Sequence, residues 1–246
     1  EIATRIKQYD MKRNESKKLL FVKTLVAGKI LNQRYVLKKR FSESKEVLAP
    51  FRELASQVAQ TSSLEAIRGH EGTASRLYFE SFSTNYQENW NFSGRNRRPP
   101  KDPINAMLSL GYTLLANIIL SSIMKIGLDP YLGFLHDDHY GRPSLSLDLM
   151  EEFRPVIVDQ LVLSLVNRKQ VQPHHFDTNP ERAFYLKDPQ RKTFFEEFQN
   201  RLLTKRFHPI LGKSVEFLRI METQVRLFGK YVNDEIEEYP PFILRK

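Results

Sequence analysis

Between Asp102 and Lys125 run 22 residues without one charged side chain. Such a stretch is long enough to cross a bilayer; in a water-soluble chain it has to be covered by protein on most sides. The polar residues decide between the two. Asn105, Ser109, Thr113, Asn117 and Ser121 recur every four residues with Tyr112 beside them, which is one stripe along a helix. Two asparagines are costly in lipid. The pattern therefore predicts a core helix over about 103–127 whose polar edge lines a site, begun by Asp102 as N-cap and Pro103 in the first turn.

The remainder of the 246 residues reads as more helices around this one. Apolar spacing predicts helices over 14–41, 46–60, from near Ser63 through Phe82, 146–167, 190–204 and 211–230. No strand alternation, repeat or low-complexity run stands out, so the fold class expected is all-α, a multi-helix domain about the 103–127 helix. The domain division expected is a basic helical segment over 1–45 leading into one compact helical domain over 46–246.

Charge is distributed unevenly. Residues 1–50 carry 13 Lys/Arg against 5 Asp/Glu, nearly the whole formal charge of +9. Lys7, Lys18, Lys29 and Arg40 recur every eleven residues, and one continuous helix would align them as a basic ridge. The 90–103 loop adds Arg95, Arg97, Arg98 and Lys101. Both features imply an anionic partner, to be met by Lys18, Lys29, Arg40, Arg95, Arg97, Arg98 and Lys101. Cysteine is absent, which excludes a disulfide framework and thiolate metal sites and suits a reducing cytosol.

Three short stretches carry chemistry. In 133–155, His136 precedes a Gly-Arg-Pro turn and then a buried-looking helix whose start bears Asp148, Glu151 and Glu152. Asp148 and Glu151 are three apart and share a face, and His136 is close enough to fold back on that first turn. Glu71 lies in a helical pattern next to Gly72, a residue that costs about 1 kcal/mol in a helix and so points to close backbone approach. Carboxylates with one imidazole suit a divalent cation and phosphodiester chemistry. By themselves the residues leave simpler readings open: helix-dipole acids, a packed histidine, a solvent-facing Glu71 beside Arg68.

Four segments together resemble one family. KTLVAGKILNQRYVLKKR (23–40), IRGHEGTASRLYF (67–79), NRRPPKDPINAMLSLGYTLLANII (96–119) and GFLHDDHYGRPSLSLDLMEEFRP (133–155) are similar, in the same order, to the helical C-terminal domain of the CRISPR-associated spacer-integration proteins. Beyond about 170 the resemblance is to generic helices. It implies Glu71, His136 and Glu151 as catalytic metal ligands, with Asp148 a supporting carboxylate and Asn105 and Tyr112 beside the metal. It further implies Mg²⁺ or Mn²⁺, with His136 favouring tolerance of Mn²⁺. The implied activity is a DNA endonuclease and integrase that inserts spacer DNA by transesterification in a prokaryotic cytoplasm. The implied partners are double-stranded and branched DNA, a small ferredoxin-like adaptation protein, and a second copy of the full-length protein. The family's β-rich N-terminal region has no counterpart from Glu1 on, so the chain is expected to be a trimmed piece or one part of a larger polypeptide. Two other readings exist: a non-catalytic helical DNA-binding scaffold, and an HD-type phosphohydrolase suggested by His136-Asp137. The second places that dipeptide on a helix, whereas here it falls in a loop.

Overall fold

The computed structural model describes residues 2–41, 44–96 and 99–244, without the side chains of Asn85 and Gln87. The fold is all-α. In chain order the helices are α1 (Ile2–Arg13), α2 (Glu15–Arg40), α3 (Lys45–Gln60), α4 (Leu64–Trp90), α5 (Pro103–Lys125), α6 (Ser144–Leu149), α7 (Gln160–Asn167), α8 (Gln190–Leu203) and α9 (Phe217–Val232). Two short antiparallel hairpins interrupt them, β1–β2 (Phe176–Thr178, Phe184–Leu186) and β3–β4 (Lys205–His208, Lys213–Glu216).

α5 is the expected central helix. Asp102 caps it by accepting from Asn105 N at 2.8 Å, and Ile104, Met107, Leu108, Leu115, Ile119 and Ile123 bury one broad face. Among the described residues it is the one helix long and apolar enough to span a membrane, and it packs instead on α6, α9 and the 154–159 segment. That last contact is close: a Cβ on Gly111 would stand 2.5 Å from Val158 Cγ1, so any larger residue would push the two elements apart.

Three expectations need correction. The helix expected over 146–167 is broken into α6, a turn, a π-helical segment Arg154–Asp159, and α7. Pro155 has no N–H to continue the ladder, and the widened turn leaves the Val156 carbonyl to accept from Arg201 Nε at 3.1 Å. The helix expected from 211 begins at Phe217, because 213–216 pairs with 205–208 around a turn where Gly212 has φ +63°. Strands of three and four residues are too short for alternation to register in a sequence. Finally, there is no single basic ridge. Asn14 ends α1 and caps α2 by accepting from Lys17 N, so Lys7 and Lys18 lie on different helices.

The floor of the domain is aromatic. Phe21 of α2 meets Phe134, Phe228 and Tyr239 with ring centroids 5.5, 4.7 and 5.2 Å away. Behind it the C-terminal segment is strapped across α2. Asn32 donates to the carbonyls of Glu152 and Phe242 at 2.8 Å each and accepts from Leu244 N at 2.8 Å. Buried Glu152 accepts from Tyr239 Oη at 2.6 Å and Phe242 N at 2.5 Å. This strap fixes the residue next to Glu151.

Candidate metal and nucleic-acid site

The 133–142 loop is folded onto a buried carboxylate. Asp148 of α6 accepts backbone N–H from Phe134 (2.6 Å), Leu135 (3.0 Å) and His136 (3.0 Å), and lies 2.7 Å from His136 Nδ1. Four donors on one carboxylate explain why a buried helix starts with an acid: Asp148 organises the loop. A carboxylate acceptor holds the proton on Nδ1, which leaves the Nε2 lone pair exposed to whatever lies beyond. Arg68, one turn before Glu71 on α4, ties the same loop down through the Leu135 carbonyl (2.6 Å) and Asp137 (2.5 Å). It does not pair with Glu71.

Beyond His136 Nε2, at 3.9 Å, is Glu151 Oε1. The Glu151 side chain is 2 % exposed, and its Oε2 is buried without a well-directed hydrogen bond. Lys29 of α2 fills the gap: its Nζ is 2.7 Å from Glu151 Oε2 and pairs with Glu71 Oε1, which also accepts from Ser75 Oγ at 3.0 Å. The ion pairs thus draw Glu71 and Glu151 to a single cation, with His136 at the edge. As they stand, no three His, Asp or Glu side chains among the described residues form a set arranged for a metal ion. The ammonium lies between them. Burial works to raise the Glu151 carboxyl, but Arg154, Lys29 and His136 outweigh it and hold it at about 2. Lys29 keeps Glu71 below the usual carboxylate range. Both acids are therefore ionised at neutral pH. Gly72 faces open space, so the close approach expected there is not found.

Tyr112 sits beside this group without pointing at it. Its hydroxyl donates to Asp159 at 2.6 Å, and Tyr78 donates to the other oxygen at 2.9 Å. The guanidiniums of Arg95 and Arg154 lie 5.3 and 4.7 Å from its ring centroid. Arg154 also approaches Glu151 Oε1 at 3.3 Å. Asn105 is fully buried and works on the 94–96 loop, accepting from Arg95 (2.7 Å) and donating to Gly94 O (2.8 Å). It holds Arg95 and the 94–96 loop in place.

Burial pushes the Asp159 carboxyl up to about 6. An acid whose folded pKa is raised stabilises the fold below its unfolded pKa near 3.8, and that stability is lost as pH rises through about 6. At most about 3 kcal/mol is at stake. Asp159→Asn should flatten the dependence of thermal unfolding on pH between about 4 and 6.5, measured against the parent by calorimetry.

The polar stripe of α5 lines an open cleft of about 1120 Å³, with Ser109, Thr113 and Asn117 on one wall and His139, Tyr140 and Arg142 on the other. A smaller cavity of about 390 Å³ adjoins Lys29 and Gln33, and the two cavities share Arg95, Tyr112 and Arg154. Of the cations expected to meet DNA, Arg95 lines both cavities and Lys101 is exposed. Lys18 pairs with Glu15, Arg40 is exposed, and Lys29 is turned inward. Arg97 and Arg98 lie outside the described residues. Sequence reasoning missed Arg154 and Arg142, although each stands within a few residues of an acid or turn already singled out.

The same helical arrangement occurs in nucleic-acid-processing proteins. A casposase in complex with its integration product superposes with a TM-score of 0.87 at 26 % identity, over 98 % of this chain and 72 % of that one. A Cas6–reverse transcriptase–Cas1 polypeptide in a complex with Cas2 superposes at 0.86 with 25 % identity, over 99 % of this chain and 27 % of that one. The chain belongs to the CRISPR-associated Cas1 family: residues 1–200 match its family model, described as CRISPR associated protein Cas1. A CRISPR-associated endonuclease Cas1 from Leptospira interrogans is 37 % identical, over 97 % of this chain and 99 % of its own length.

Proposed function

We propose that this chain is a divalent-metal-dependent DNA endonuclease and integrase of CRISPR adaptation, with Glu71, His136 and Glu151 holding one Mg²⁺ or Mn²⁺. The observation that supports it is the Lys29 ammonium shared by two buried carboxylates, with His136 Nε2 turned toward the same place. The buried Glu151 Oε2 without a directed hydrogen bond fits a cation ligand, and the hard and borderline donors fit these ions. Bound there, the cation would supply Lewis-acid polarisation of a phosphate oxygen.

The chain's own groups do the rest. Asp148 orients the imidazole by accepting from Nδ1, which turns Nε2 toward Glu151. Arg154 and Arg95 stand where the cleft meets the acids and would offset phosphate charge, holding the scissile strand for attack by a DNA 3′-hydroxyl, or by water in cleavage. The cleft wall from α5 would follow the DNA backbone. The Cas2-containing complex of a structural relative supports a small Cas2-like partner here, and a prokaryotic cytoplasm is where such DNA would be met. Dimerisation of the full-length protein belongs to the same proposal.

Strand transfer of a short duplex into supercoiled repeat DNA tests this. The expected result is joined product with Mn²⁺ and none with EDTA. Product that persists in EDTA, or DNA binding without strand transfer or cleavage under any divalent ion, would count against it, the latter favouring a scaffold. Arg142→Ala should weaken DNA binding across sequences and lower the slope of log affinity against log salt by about 1. Fluorescence anisotropy at several salt concentrations reads this directly.

A further inference from the structure

We propose that Lys29 is a built-in competitor of the site's divalent cation, displaced into the adjoining cavity when the cation arrives. The inference rests on the metal reading above. The first observation is position: one ammonium reaches both Glu71 Oε1 and Glu151 Oε2, an oxygen of each acid that would hold the cation. A divalent ion at roughly 2.0–2.4 Å from those atoms leaves no room for Nζ, and the two positive charges repel at contact distance. The second observation is that the displaced side chain has somewhere to go. Lys29 also lines the cavity of about 390 Å³ that holds Gln33, Ser75, Arg95, Tyr112 and Arg154. Gln33 of that lining has an amide oxygen, Oε1, without a hydrogen-bond partner, which a turn of its side chain would offer to the ammonium.

The exchange has two consequences. Without metal, the Lys29 ammonium lies between Glu71 and Glu151 and offsets the repulsion of their like charges. With metal, the released ammonium joins Arg95 and Arg154 as a third cation facing a phosphate. Metal binding and DNA binding then reinforce each other, each by the same factor.

Mn²⁺ titration of DNA-free protein, by calorimetry and electron paramagnetic resonance, tests the competition. A site left open only about a tenth of the time binds about ten-fold more weakly than an open one. Lys29→Met should therefore bind Mn²⁺ at least about ten-fold more tightly than the parent, by the same arithmetic. Lys29→Arg keeps the charge and should bind no more tightly than the parent. The Met variant should also unfold at lower temperature without metal and gain more from Mn²⁺ than the parent does. If Lys29→Met does not fold, Lys29→Gln takes its place with the same expectation. Mn²⁺ affinity unchanged or weaker in the neutral variant overturns the proposal, as does equal tightening by Lys29→Arg. No Mn²⁺ binding by the parent or by the neutral variant would instead overturn the metal site itself.

Discussion

His136→Ala and Glu151→Gln are each expected to abolish cleavage and strand transfer, while DNA affinity measured without divalent ion stays within about two-fold of the parent. The size follows from the site's economy. Loss of a partner that only orients a ligand already costs about 10- to 100-fold in metal affinity or activity, and these two substitutions remove the donors themselves. DNA affinity would survive because Arg95 and Arg142 line the open cleft, and the proposed phosphate contacts fall on them and the cleft wall rather than on the acids. Glu151→Gln is the sharper of the two. It keeps shape and burial but leaves Lys29 and Arg154 facing one carboxylate fewer, so a small loss of stability accompanies the loss of chemistry. Gel assays of nicking and joining, paired with anisotropy, separate the two effects. Activity retained in His136→Ala would mean that the imidazole is a packing residue.

Phe21→Ala has the largest effect on the fold. Its ring is fully buried and meets Phe134, Phe228, Tyr231 and Tyr239. Removing it opens a cavity walled by rings that cannot all shift, at a cost of about 3–5 kcal/mol. For a domain of this size that is a fall in Tm of roughly 10 °C. The damage reaches the site, because Phe134 is held on one side by Phe21 and on the other by its N–H to Asp148, two residues before His136. Calorimetry of the variant reads the first effect. Weaker Mn²⁺ binding in protein still folded at 20 °C reads the second.

Helical periodicity and caps made most of this fold legible. α5 announced itself by its uncharged run and its Asp102-Pro103 start, and α2, α3 and α8 follow their apolar spacing within a residue or two. The misses have physical causes. Pro155 looked tolerable inside one long helix because Val156, Ile157, Val158 and Leu161 continue the apolar run. Whether a proline kinks, breaks or widens a helix depends on tertiary partners, here Arg201, which donates to the Val156 carbonyl in the widened segment from 45 residues downstream. The hairpins of three and four residues owe their existence to turns and tertiary contacts, which carry little sequence signal.

The acids and the imidazole were found from residue type and from the resemblance. What the eleven-residue spacing of lysines concealed was the role of Lys29. Asn14 separates Lys7 from the others, but Lys18, Lys29 and Arg40 share the continuous α2, and spacing along a helix does not say whether the face they share meets solvent or other elements. Lys29 sits on the buried side of α2 near Val26, Ile30 and Gln33, where an ammonium is tolerable only because two carboxylates from α4 and the turn after α6 meet it. That is a long-range fact, and no local pattern encodes it. Asn105 shows the converse. Its place on the polar stripe was legible, but its partners, Arg95, Asn96 and Gly94, could only be known from the loop that folds over it.

The central claim is that Glu71, His136 and Glu151 share one divalent cation. Anomalous diffraction from crystals grown with Mn²⁺ tests it most directly. The expected map has one strong anomalous peak at roughly 2.0–2.4 Å from a carboxylate oxygen of Glu71, His136 Nε2 and a carboxylate oxygen of Glu151, with the Lys29 ammonium moved out of the gap. A map with Lys29 still bridging the two glutamates at saturating Mn²⁺, and no peak among the three side chains, would contradict it.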